Sequence, residues 1–171
     1  MKYRSVSVVL SALLLAGCAG LMMDVKEADK KAEDVVIPPG GEVAIAEPDV
    51  SAIDDPEDAK RVKAAVTKWM KYSLKENKVK VSESASSKIS ITITNYESGC
   101  GFCRGFFPVF GLGDSAVDGN VTLEVDGRRR RLVVQKTGQA TGMSQMGDQT
   151  ETNIEYFSTV VSDRFTEHKS D

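Results

Sequence analysis

The residues whose types and spacing could do chemistry are few, and the sharpest group is Cys100-Gly101-Phe102-Cys103. Two thiols separated by two residues can form a redox couple when a helix amino terminus stabilises the first thiolate. Here Arg104-Gly105 and Pro108 follow, and they do not open a helix. Zinc would need two more ligands, and the chain holds a single histidine, His168. In an exported chain the pair is expected as a structural disulfide, closing a ring worth only about 2 kcal/mol. Beside it, Phe106, Phe107 and Phe110 join Phe102 in an aromatic cluster. Such a cluster either folds onto the core or presents an apolar patch to a partner. Arg128, Arg129, Arg130 and Arg131 form the third group. Four guanidinium groups in a row could hold phosphate or carboxylate groups of a partner, or stand solvated with pairs to Glu124 and Asp126.

The fourth group is a lone cysteine at the end of an apolar run. Lys2 and Arg4 precede the run Val6–Leu15, and Leu15-Ala16-Gly17-Cys18 closes it. A basic start, a short apolar core and small residues before a cut describe an export signal over residues 1–17. The Leu-Ala-Gly-Cys ending resembles the lipobox of bacterial lipoproteins. That resemblance implies cleavage before Cys18, diacylation of its thiol and acylation of the new amino group. Two or more acyl chains hold a protein stably on a membrane. Ala19 stands where an aspartate would retain such a protein at the inner membrane, so the outer membrane is the expected address. With Cys18 lipidated, Cys100 and Cys103 remain as an even pair.

Other groupings carry less. Gly111 and Gly113 lack the third glycine and the strand-loop-helix setting of a dinucleotide site. No Gly-x-Ser-x-Gly or Ser-x-x-Lys nucleophile motif is present. His168 lies at a chain end that tends to fray. Asp49, Asp54, Asp55, Glu57 and Asp58 do not have the spacing of a calcium loop and fit helix capping. No catalytic residue, metal or cofactor is therefore expected. The net charge of −3 leaves no basic footprint for nucleic acid.

The elements that must position these groups follow from pattern. Residues 18–41 are charged and end in Pro38-Pro39-Gly40-Gly41. They read as a lipidated, flexible tether reaching roughly 65–70 Å, with room for a short helix at Val25–Glu33. An α+β periplasmic domain is expected over 42–171. Val43–Ala46 reads as a strand. Asp55-Pro56 opens a helix whose Val62, Val66, Trp69 and Leu74 stripe should face a sheet, with Asn77 as its stop. A strand is expected within Lys78–Glu83. Ile89, Ile91 and Ile93 alternate with polar residues, as do Val121, Leu123 and Val125. Asp126-Gly127 then makes a hairpin that sets Leu132 opposite Val121 and Arg129 opposite Glu124. Asp148 and Glu151 resemble a capping box before a last helix carrying Ile154, Phe157, Val161 and Phe165. The expected fold is α+β, a mainly antiparallel sheet of about five strands with two amphipathic helices on one face.

The run from Val43 through Trp69 to Val81 resembles the small α/β domain of envelope lipoproteins. It is similar to the activator lipoproteins of peptidoglycan synthases, the curli-secretion lipoprotein and the amino-terminal domain of the Tol-Pal propeller protein. The segment from Gly111 through Gly127 to Phe165 resembles a family of uncharacterised bacterial lipoproteins. These resemblances imply a non-enzymatic binding or assembly adaptor, anchored by lipid and facing an envelope protein or polymer. Two alternatives stand beside it: an auxiliary subunit of an envelope transport or secretion complex, and a thiol-redox protein using Cys100 and Cys103.

Overall fold

The structure, a computed structural model, describes residues 23–98, 115–136 and 150–166. Cys18, Cys100, Cys103, Phe102, Phe106, Phe107, Phe110, Asp148 and His168 lie outside the described residues. The described part is α+β. Six strands, β1 (Met23–Glu27), β2 (Glu42–Ile45), β3 (Lys80–Val81), β4 (Lys88–Glu97), β5 (Ala116–Val125) and β6 (Arg128–Lys136), form one sheet in the order β1-β6-β5-β4-β2-β3. Two helices, α1 (Pro56–Glu76) and α2 (Thr150–Thr166), accompany it.

The sheet is mixed, not purely antiparallel, and it has six strands rather than about five. β1, β6, β5 and β4 pair antiparallel, while β2 runs parallel to both β4 and β3. The parallel half follows from the order β2-α1-β3, because a helical crossover returns the chain in its original direction. The sixth strand is β1, which lies inside the segment expected to be a tether.

That expectation is corrected from Met23 onward. Met23–Glu27 pairs along Leu132–Lys136 of β6, and a 3-10 turn at Lys30–Ala32 follows, capped by the Asp29 carboxylate. Val35 and Ile37 are buried, and the Ile37 amide donates to the Phe165 carbonyl at 2.8 Å. Gly40 donates to the Lys78 carbonyl at 2.9 Å. Charged composition alone misleads for this stretch, because Ala32, Val35 and Ile37 are buried, Met23 and Val25 pack against the core, and its backbone groups find partners in tertiary structure.

Elsewhere local chemistry and packing agree. The Asp55 carboxylate accepts from the Glu57 and Asp58 amides, with Pro56 in the first turn of α1. The helix closes in a Schellman arrangement. Lys78 takes positive φ (61°), its amide donates to Lys75, and the Val79 amide reaches back to the Leu74 carbonyl. Val79 and Leu74 are both buried, which supplies the accompanying apolar contact. The buried stripe of α1 is Val62, Val66, Met70, Ser73 and Leu74. Trp69, expected on that stripe, sits half-buried at its flank, stacked edge-on against exposed Tyr72. The β5–β6 hairpin turns at Asp126-Gly127, both at positive φ, with Val121 opposite Leu132 and Glu124 opposite Arg129 as the sequence predicts.

The core lies on one side of the sheet. Val43, Ile89, Ile91, Ile93, Val117, Val121, Leu123, Leu132 and Val134 meet Ile154, Phe157, Val161 and Phe165 of α2 and the α1 stripe. The helices pack side by side and run the same way. Trp69 reaches Glu151, Ser73 meets Thr159, and Asn77 donates to Ser162 and Asp163, each at 2.9 Å. Gly119 makes room for the Phe157 ring beside a shift of register between Ile93 and Asn95.

Candidate functional site

The four arginines of the run do not form one cluster. Period-two alternation on β6 places Arg130 on the same face as Leu132 and Val134, and it is only 4% exposed. Its Nη2 and Nε meet the Glu27 carboxylate at 2.5 and 3.1 Å. Its Nη1 donates to the Arg164 carbonyl at 2.7 Å, and the guanidinium lies 5.9 Å from the Phe165 ring centroid. A cation at the carboxyl end of α2 is favoured by the helix dipole as well as by the ion pair. Arg130 is thus a clamp joining β1, β6 and α2.

The other three arginines are exposed. Arg128 donates to both carboxylate oxygens of Asp34 at 2.7 Å. That hydrogen bond holds the Asp34 carboxyl below its ordinary 3.8 and raises the Arg128 guanidinium. Arg129 pairs with Glu124 at 3.0 Å on the open face of the sheet. Arg131 is exposed and opposite Thr122. Three of the four candidate arginines therefore spend their charge inside the protein, two of them on acidic residues of the supposed tether. The parity of Arg130 with Leu132 was the signal available in sequence.

The described residues contain a different candidate, not singled out by sequence reasoning: an open groove of about 1150 Å³ between α1 and the β2–β3 end of the sheet. Its floor includes Ile45, Pro48, Ala64 and Val79. Its walls carry five lysines, Lys60, Lys63, Lys71, Lys75 and Lys80, against two glutamates, Glu47 and Glu83. On α1, Lys60, Lys63, Thr67, Lys71 and Lys75 recur at three- to four-residue steps and so form one stripe, with Thr67 between the two lysine pairs. Lys63 pairs with Glu47 at 2.6 Å, and that hydrogen bond lowers the Glu47 carboxyl from its ordinary 4.5. Lys80 lies 3.9 Å from Glu42, a loose pair. Lys60, Lys71 and Lys75 are exposed and form no ion pair with a described residue. The helical spacing of these lysines was visible in sequence, but their facing an edge strand was not.

No protein-family model matches the chain, and no curated protein does. Among solved structures, the chain is similar to the PelC dodecamer from Paraburkholderia phytofirmans. The likeness covers 86% of this chain and 100% of that one, with a TM-score of 0.53 and 12% identity. At that identity the likeness concerns the fold, a two-layer α+β domain.

Three further observations bear on chemistry. Among the described residues, no group of three or more His, Cys, Asp or Glu side chains is placed to hold a metal ion, and no helix is long and apolar enough to cross a membrane. The lowered carboxyls of Asp34, Glu47 and Asp49 are exposed and stabilised as anions by one ion-pair partner or, for Asp49, by the Ser51 amide. Groups so held are poor proton acceptors, and a general base at neutral pH needs the opposite shift. At the start of β5, Asn153 donates from full burial to the Ser115 hydroxyl and carbonyl at 2.6 and 3.0 Å, and Lys136 also donates to that carbonyl. This knot ties α2 to β5 and β6.

Proposed function

We propose that this chain is a lipid-anchored envelope lipoprotein, held at the outer membrane through Cys18 and facing the periplasm, whose α+β domain works as a non-enzymatic binding or assembly adaptor. The observation that carries this reading is Leu15-Ala16-Gly17-Cys18 directly behind an apolar run with a basic start. The early start of the folded domain refines it. Only four residues lie between Cys18 and Met23, and the five Cα–Cα steps reach roughly 17 Å when fully extended. An adaptor so tethered works against the membrane surface rather than well above it.

The test is metabolic labelling with radioactive palmitate in a bacterial host that processes lipoproteins, followed by detergent phase partition. The wild type is expected to take up label and enter the detergent phase. Cys18→Ala is expected to do neither. Label retained by Cys18→Ala, or an unlabelled wild type, would contradict the reading. PelC is a dodecamer, so the mass of the solubilised protein measured alongside would show whether self-association belongs to the adaptor role here.

A further inference from the structure

We infer that the lysine groove beside α1 is the docking site for an acidic, extended polypeptide segment of a partner protein. This deepens the adaptor reading by naming the partner's chemistry, and its test does not depend on the lipid anchor.

Three observations converge on that occupant. The first is charge. The groove lining carries five lysines and two glutamates in a protein of net charge −3. Lys63 neutralises Glu47 and Lys80 has its loose pair with Glu42, which leaves Lys60, Lys71 and Lys75 facing Glu83. A local excess of cations on an acidic protein concentrates anionic partners.

The second is length. Lys60 and Lys75 are fifteen residues apart, which sets them roughly 22 Å apart along the helix. Such a row suits a linear polyanion rather than one small anion. Lysines are point charges without the planar fork of arginine, so they tolerate varied carboxylate placement.

The third is the free edge, and it decides between polymers. β3 ends the sheet. The Lys80 amide bonds Gly41 and the Ser82 amide bonds Val43, both on the β2 side. The intervening Val81 amide and carbonyl therefore face outward, as strand alternation requires. Val81 itself is exposed. A polypeptide can pair with these groups as an added strand, whereas a polyuronate or lipid headgroup has no matching backbone. Alternate side chains of an extended strand stand roughly 6.6–7 Å apart. Lys71 and Lys75, four residues apart on α1, are spaced by about 6 Å. Carboxylates on one face of an added strand thus fall in step with the lysines opposite.

The experiment measures binding of a short fluorescent polyglutamate to the detergent-solubilised full chain by anisotropy. Polyuronate and phosphatidylglycerol vesicles serve as competitors. The expected result is saturable binding, weakened at least tenfold in Lys71→Glu/Lys75→Glu and by high salt, and unchanged in Lys31→Glu outside the groove. Val81→Pro, which removes an outward amide and no amide bonded to β2, is expected to weaken binding severalfold. Circular dichroism of each variant shows that the fold is kept. Three outcomes would overturn the proposal: no binding, binding indifferent to the lysine reversals or to Val81→Pro, or groove-dependent binding of polyuronate or vesicles with polyglutamate excluded. Cys18→Ala keeps polyglutamate binding if the groove acts as inferred. Loss of membrane attachment and loss of peptide binding therefore fail separately.

Discussion

Replacing Arg130 by alanine is predicted to cost far more than replacing any neighbour in the arginine run. The side chain is 5% exposed and its partner Glu27 is 16% exposed. Removing the guanidinium strands a carboxylate on the core side of the sheet. It also takes the donor from the Arg164 carbonyl and the cation from the face of Phe165. Breaking one side of a buried pair costs about 3–5 kcal/mol. Against a total stability on the order of 5–15 kcal/mol this is a large fraction. With a urea slope of roughly 2 kcal/mol/M, the unfolding midpoint should fall by about 1.5–2.5 M. Arg129→Ala breaks an exposed pair, 71% and 40% accessible, and should cost only about 0.2–1 kcal/mol. Glu27→Leu/Arg130→Met, which replaces both charges by apolar groups, should recover most of the loss. Urea unfolding followed by far-ultraviolet circular dichroism reads all of these. If Arg130→Ala proved no more costly than Arg129→Ala, the clamp and the ordered β1 segment would both be refuted.

Two more outcomes follow from the same geometry. Asp34 has a folded pKa depressed by the Arg128 hydrogen bond, so its contribution is fully present above its ordinary 3.8 and is lost as pH falls through the lower folded value. Asp34→Asn should therefore flatten the acid limb of the stability–pH curve below about pH 4; an unchanged limb would remove the pair from the account. A Cβ at Gly119 would sit 2.9 Å from the Thr92 carbonyl oxygen and 3.2 Å from the Phe157 ring. Gly119→Ala should thus lower stability by about 1–3 kcal/mol in thermal unfolding, and a neutral result would mean that the ring and strand yield freely.

How much of this was legible in sequence depended on whether the deciding partner was local. The Asp55-Pro56 start of α1 and the Asp126-Gly127 hairpin, with its Val121–Leu132 register, were readable because the residues that fix them are neighbours. β1 was not, because Met23-Asp24-Val25-Lys26-Glu27 is polar and becomes a strand only against β6, more than a hundred residues away. The acidic stretch and the arginine run lie far apart in sequence. Glu27–Arg130 and Asp34–Arg128 make them two halves of one set of contacts. Trp69 drew attention by size, yet the four-residue step Val62, Val66, Met70, Leu74 defines the buried line. The lysine groove escaped notice for the converse reason. Its helix stripe reads as an ordinary solvated face until β3 is placed beside it.

The account rests most heavily on the fate of Cys18. Mass spectrometry of the protein extracted from bacterial membranes decides it. The account predicts a mature chain that begins at Cys18 and carries a diacylglyceryl group with an acylated amino terminus. A chain that still begins at Met1, or one cut elsewhere with an unmodified Cys18, would contradict it.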